Sequence, residues 1–438
     1  MSAADRAMGA GLRAVRRLGG AELLDRLGVR DQVERALYRS TRDGFRAVGA
    51  TARTFAAAQR LGRPARPRAA GSGDLFDIAP DDEQQMIRAS FGEFADERIR
   101  PAALEADAAS ATPPELIAQA MELGVTMFGV PEELGGAISE RSSATSVLAA
   151  EALAHGDMGI ATAVLAPAAV ATAVSLWGDE EQQAKYLPAL VSENVPAAAL
   201  ALLEPQPLFD PFELRTKARP DGDGYVISGT KALVPRGADA ELLVVAAELE
   251  GRGPALFLVE PKEGGVAARP APAMGIRAAA TAELLLEDVR VPRGALLSDA
   301  DPAAYAECVR RARLAWCALS IGTAQAVLDY VIPYVNERVA FGEPISNRQA
   351  VAFAVSDIAI ELEGMRLTTL RAASRSDQEK DIARDTALAR VLCSEKGAAI
   401  GSHGVQLLGG HGYVKEHPVE RWYRDLRAAG VMEGALLV

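Results

Sequence analysis

Residues 238–250 read ADAELLVVAAELE, and their reading decides the fold class. Eight or nine apolar residues run almost without interruption, too short for a helix of average length and unmarked by any 3.6-residue period. That pattern predicts a β-strand. Two similar runs follow, PALFLVEP (254–261) and ELLLEDVRVP (283–292). They are separated by the glycine-containing turns DGDG (221–224), GRG (251–253) and EGG (263–265), so the segment from about Val195 to Pro302 is expected to be all β.

Outward from this segment the period changes. DDEQQMIRASFGEFADERI (81–99) opens on acidic residues, as a helix N-terminus prefers. PPELIAQAMELG (113–124) is bracketed by prolines and a glycine, the usual start and stop signals. Residues 143–190, nearly all Ala, Val and Leu at first, predict buried helices. After Pro302, ECVRRARLAWCALSIGTAQAVLDYVIPYV (307–335) returns to helix. The chain is therefore mainly α with a central β domain, divided as 1–73, 74–195, 196–302 and 303–438.

Length and charge narrow the functional classes. A chain of 438 residues exceeds one ordinary domain. Three cysteines at 308, 317 and 393 lack metal-ligand spacing and suit a reducing compartment, so a cytoplasmic protein without a metal site is expected. No uninterrupted apolar run of 18 residues and no leader-like start is visible. The net charge is −12, yet residues 1–70 hold 15 arginines against six acidic residues. An acidic body argues against nucleic acid as the main partner. The basic arm, with Leu23, Leu27, Val33, Leu37 and Phe45 at helical spacing and the linker GRPARPRAAGSG (62–73), has two readings: a helical extension packed on its own oligomer, or a helix docking on a membrane surface or partner.

Three stretches can carry chemistry, each with a bland alternative. In ERVAFGEPISNRQ (337–349), Arg338 and Gln349 flank a turn and can reach a phosphate, or be simply solvated. QLLGGHGYVKEHPVERWYRDLR (406–427) has three glycines in four residues, which let a backbone approach a pyrophosphate or merely turn between helices. Its Glu420 and Arg424, at i,i+4, suit a structural ion pair. VMEGALLV (431–438) sets Glu433 among apolar neighbours, where desolvation would make it a competent base, unless it is only a terminal charge.

Together with FGVPEELGG (128–136), WGDEEQQAKYLPAL (177–190), YVISGTK (225–231) and LEDVRVP (286–292), these stretches resemble the acyl-CoA dehydrogenase family, in the family's order and over about residues 75–438. The resemblance implies a helical N-terminal domain, a β-sandwich or barrel in the middle and a C-terminal four-helix bundle. It implies FAD, an acyl-CoA substrate desaturated to the 2-enoyl-CoA, and electron-transfer flavoprotein as acceptor, as in fatty acid β-oxidation. It implies a homo- or hetero-oligomer, a dimer of dimers. By the same resemblance Glu433 matches the family's base, with Ala312 at the position some members use instead. Arg313 and Gly434 match the acyl-CoA site. Arg338, Phe341, Gln349, Gln406, Gly409 and Gly410 match residues that hold the ADP half of FAD across a dimer interface.

The departures lie on the flavin side. Leu203 replaces a threonine, the Gly-Ser pair of the same motif is missing from LEPQPLFDPFEL (203–214), and Leu233-Val234-Pro235 replaces a hydroxyl-bearing triplet. Leucine has no hydroxyl and proline no N–H to offer a flavin. Two expectations follow: an active dehydrogenase holding flavin mostly through backbone groups, or a catalytically silent subunit of a heteromeric bacterial dehydrogenase that lends ADP-binding residues to a partner.

Overall fold

The computed structural model describes residues 78–137, 142–192 and 194–436. The expected helices of the basic arm (1–73) lie outside these residues. Helix α1 (Asp82–Phe94) starts where the Asp81 carboxylate accepts from Gln84 N at 2.8 Å and the Gln84 side chain accepts from Asp81 N. This reciprocal cap satisfies two N–H groups that a helix start leaves open. It runs through a π turn (Ala95–Ile99) into α2 (Arg100–Ala109), followed by α3 (Pro114–Glu122), α4 (Ser143–Gly156), α5 (Met158–Trp177) and α6 (Glu180–Leu190). Helix α5 has the length and apolarity of a membrane span, but most of it is buried against neighbouring elements.

The β segment forms one seven-stranded sheet: β1 (Ala198–Ala201), β2 (Lys217–Asp221), β3 (Gly224–Val234), β4 (Leu242–Leu249), β5 (Gly253–Val259), β6 (Val266–Pro270) and β7 (Ala282–Pro292). The apolar run that opened the reading is β4, and it explains its own burial. β1 pairs in parallel with its first half and β2 with its end, while β5 pairs antiparallel along its length. β7 instead alternates, with Ala282, Leu284 and Leu286 inside and Leu285 outside.

Helices return with α7 (Pro302–Glu337), then the short hairpin β8 (Val339–Ala340) and β9 (Glu343–Pro344), α8 (Gln349–Asp377), α9 (Ala383–Leu408) and the seven-residue α10 (Val419–Asp425). Helices α7, α8 and α9 pack around Ile321, Val327, Met365, Cys393 and Trp422. Helix α7 also presses on α4: a Cβ at Gly322 would stand 2.0 Å from the Glu151 carbonyl, so only glycine lets the two backbones approach so closely.

The PVERWYRD segment ties the domains. Arg424 makes its expected i,i+4 pair with Glu420 and also grips Asp107 through both Nη atoms at 2.9 and 3.0 Å. Arg421 meets Asp157 at 2.9 Å, and Asp425 accepts from Ile276 N at 2.6 Å. Asp107, Asp157, Arg421 and Asp425 are buried, and a buried charge left without its partner is costly, so the three domains are held in one arrangement.

Candidate active site

The last described turn carries Glu433, and the chain there is unusually constrained. Glu433 has φ +58°, a left-handed conformation that non-glycine residues seldom adopt. Gly434 follows at φ +109°, where an added Cβ would stand 2.8 Å from Pro211 and 3.0 Å from Arg313 Nη2. Ala435 N donates to Phe209 O at 2.8 Å, tying the turn to the β domain. From α9, the buried Arg390 donates to the carbonyl oxygens of Met432 (2.8 Å) and Gly434. Burial, then the neighbouring Arg313, pushes Arg390 down to about 10. Arg390 was not foreseen from the sequence, where it is one arginine in a long helix.

The side chain of Glu433 is 8% exposed, so the charge among apolar neighbours is a buried one. Oε1 accepts from Trp316 Nε1 at 3.2 Å, while Oε2 has no partner. Arg313 donates through Nε to the Glu433 carbonyl at 3.1 Å and leaves Nη2 unpartnered. Burial raises the Glu433 carboxyl above its ordinary value, against the opposing effects of the Trp316 hydrogen bond, Arg390, Arg313 and Lys231. A raised but not extinguished carboxylate with one free oxygen is the arrangement a general base needs.

One space is lined by this turn and a second lies near it. The first, of about 380 Å³, is lined by Leu203, Pro205, Phe209, Ala232 and Leu233 from the β side and by Gly430, Val431, Gly434 and Ala435 from the terminal turn. The departures noted at 203 and 233 therefore meet in one groove beside Glu433. Its β wall rests on a buried ion pair, Lys231 Nζ to Glu204 Oε1 at 2.8 Å, with Glu204 also accepting from Arg215 N and Thr216 N. Burial pushes Lys231 down to about 8. Desolvation opposes the Glu204 charge, but the attraction of Lys231 and its hydrogen bond override this and hold the carboxyl below its ordinary value.

The second is an apolar chamber of about 180 Å³ walled by α4, α5 and α7, with Phe128, Val147, Leu165, Cys308, Ala312 and Ala315 among its lining. Glu433 is close enough that its charge, after burial itself, raises the Cys308 thiol. Arg311 closes one side, paired with Glu307 at 2.6 Å and with Ser143 at 3.0 Å.

A third space lies at the far end of α7. It is a groove of about 990 Å³ lined by Tyr334, Arg338, Phe341, Arg348, His403, Gln406, Gly409, Gly410 and His411. Five of the six expected ADP-binding residues thus share one surface. Gln349 does not join them: it is exposed at the start of α8, and its neighbours Arg348 and Ala350 line the groove instead. Gly409, with φ +58° and ψ −129°, occupies backbone space reserved for glycine, and a Cβ on Gly409 or Gly410 would meet no atom within 4 Å. The hairpin tip pairs Phe341 at φ +56° with Gly342 at φ +82°, two consecutive positive angles of the kind tight hairpins use. Among the described residues no group of three His, Cys, Asp or Glu is placed to hold a metal ion.

Known proteins share this fold. The chain matches the acyl-CoA dehydrogenase N-terminal domain over residues 81–194, the middle domain over 199–289 and the C-terminal domain over 303–436. It is 34% identical over 364 residues to the mitochondrial short-chain specific acyl-CoA dehydrogenase of Bos taurus, covering 80% of this chain and 86% of that one. The structure of butyryl-CoA dehydrogenase from Megasphaera elsdenii superposes with a TM-score of 0.77 at 28% identity, over 82% of this chain and 97% of that one. A glutaryl-CoA dehydrogenase from Mycobacterium smegmatis, in complex with FADH2, gives 0.75 at 26% identity, over 82% and 92%. Three domains in register at this identity establish that the chain belongs to the acyl-CoA dehydrogenase family and is an oxidoreductase.

Proposed function

We propose that this chain desaturates a short acyl-CoA thioester, with Glu433 removing the α-proton at Oε2. The carrying observation is the unpartnered oxygen of a buried carboxylate whose own turn lines an apolar groove. A thioester acidifies its α-carbon, and a dry carboxylate of raised pKa has the driving force to take that proton. Arg313, with Nε spent on the Glu433 carbonyl, has Nη2 left for the thioester end of the substrate. The chamber of about 180 Å³ suits a short acyl tail.

The residues fit FAD, the family's cofactor. The groove at Arg338 presents open glycine backbone at Gly409 and Gly410, which suits the pyrophosphate of that cofactor. FAD supplies the acceptor for the β-hydrogen as hydride. Arg313 and Arg338 are 25 residues apart along α7, about 37 Å at 1.5 Å per residue, farther than one extended dinucleotide reaches. We therefore assign the Arg338 groove to the ADP of a neighbouring subunit's FAD. That reading makes the chain a subunit of a homo- or hetero-oligomer, passing electrons to electron-transfer flavoprotein in lipid or fatty acid β-oxidation in the cytoplasm. Residues 1–70 would form a further membrane-surface or partner contact.

A second reading is favoured by Leu203, Leu233 and Pro235, none of which offers a flavin a side-chain hydrogen bond: the chain is the catalytically silent partner in a hetero-oligomer. The visible spectrum of the purified chain separates the two. Flavin absorbance from the lone chain, bleached by butyryl-CoA, supports the active reading. A chain that turns yellow only when co-expressed with a second dehydrogenase-like subunit supports the other. Deleting residues 1–70 should change oligomer mass or vesicle binding, and a variant unchanged in both removes the docking role.

A further inference from the structure

Three tryptophans occur in the chain, and the two on α7 and α10 are buried in opposite ways. The indole N–H of Trp422 is buried without a partner, while that of Trp316 points at the carboxylate of Glu433. Trp316 lies three residues beyond Arg313, on the same face of α7, so one helix presents both groups to the terminal turn. Nothing else described donates a hydrogen bond to either carboxylate oxygen of Glu433. Arg313 and Arg390 donate to backbone carbonyls of the turn.

We propose that Trp316 is the positioning residue of the base: its N–H fixes Oε1 of Glu433 and so commits Oε2 to the proton. A carboxylate on two methylenes can otherwise rotate, and a base that must meet a carbon acid at one point loses rate with each unproductive rotamer. The proposal rests on Glu433 being the base and adds the group that aims it. The charged and titratable groups facing this carboxylate are Arg313, Tyr305 and Cys308 from α7, Arg390 from α9, and Lys231 with Glu204 from the β domain. None of them is altered by a substitution at 316. An N–H donor favours the ionised form, so its removal shifts the acid limb of the rate profile to higher pH.

The test has two arms. In protein labelled with 15N-tryptophan, Trp316→Phe identifies the Trp316 indole resonance by its loss, with no flavin required. That resonance should move as Glu433 titrates and stop moving in Glu433→Gln; a resonance indifferent to both pH and Glu433→Gln overturns the proposal. In the flavin-loaded protein, reduction by butyryl-CoA is followed across pH for Trp316→Phe and for a chain carrying benzothienylalanine at 316, which keeps the ring's shape but has sulfur in place of N–H. Both should slow flavin reduction about tenfold and move its acid limb to higher pH. A benzothienylalanine chain with the original rate and profile would assign Trp316 to filling space and sink the idea. If Glu433→Gln reduces flavin at the original rate, the base reading itself fails, whatever the indole resonance shows.

Discussion

The two ends of α7 hold sites built on opposite principles. Around Trp316 the charged side chains are buried: Glu433, Lys231 and Glu204 lie in the interior, and the orphan atoms Glu433 Oε2 and Arg313 Nη2 stand at the terminal turn. Around Arg338 the groove is open, its cation is exposed and its glycines meet nothing. Burial makes electrostatics strong and errors costly, while exposure makes them weak and forgiving. The same kind of substitution should therefore read out as lost chemistry or lost stability at one end, and as lost affinity at the other.

The largest effect is expected from Glu433→Gln. It preserves shape and removes only the proton acceptor, so flavin reduction by butyryl-CoA should fall about 10³- to 10⁴-fold while flavin content is kept. A variant that loses its flavin instead would show that Glu433 belongs to cofactor binding, and the contrast between the two ends would have to be redrawn.

Removing one cation at each end sharpens the comparison. Lys231→Met strands Glu204 in the interior with only backbone donors, and should cost about 3–5 kcal/mol in denaturant unfolding. Arg338→Gln strands nothing, because Arg338 is exposed and its side chain makes no internal ion pair among the described residues. Its unfolding midpoint should stay put, while FAD affinity falls roughly 10- to 100-fold, the loss of one charge-assisted contact to phosphate. Equal stability losses from both would mean that the groove is a structural seam rather than a ligand site.

Much of this was legible before the structure. The loss of helical period near Val195 and its return after Pro302 located the β domain, because a strand buried on both faces cannot look like an amphipathic helix. Glu433 among Val431, Met432 and Ala435 raised the alternative of a dry carboxylate, and the residue is buried. Glu420 and Arg424 announced their pair because helix geometry fixes i,i+4. What was not legible depends on register between distant segments. Lys231 meets Glu204 only because β3 ends beside the loop after β1, and Arg390 reaches Met432 only because α9 packs under the terminal turn. Trp316 carried no signal in the sequence, because its polar tip finds its partner 117 residues away. Gln349 stands exposed at the start of α8, between two residues that line the groove.

The smallest effect expected belongs to Phe341, and it is the most diagnostic of what an open site is. A phenylalanine that is 94% exposed at a hairpin tip contributes little to folding by burial, since almost none of its ring leaves water. Its one described ring contact is with Arg348, whose guanidinium carbon lies 5.6 Å from the ring centre, worth about 0.5–1 kcal/mol at an exposed position. Phe341→Ala also keeps the strain of φ +56° unchanged, because alanine resists that angle as phenylalanine does. Stability should therefore move by no more than about 1 kcal/mol. FAD affinity measured on the assembled protein should drop several-fold, because a ring left bare in one chain gains its contacts only when a neighbour's adenine or backbone covers it. If Phe341→Ala leaves affinity and assembly mass both untouched, the hairpin is not part of the groove's work, and Arg338 with the 409–410 turn must hold the dinucleotide without it.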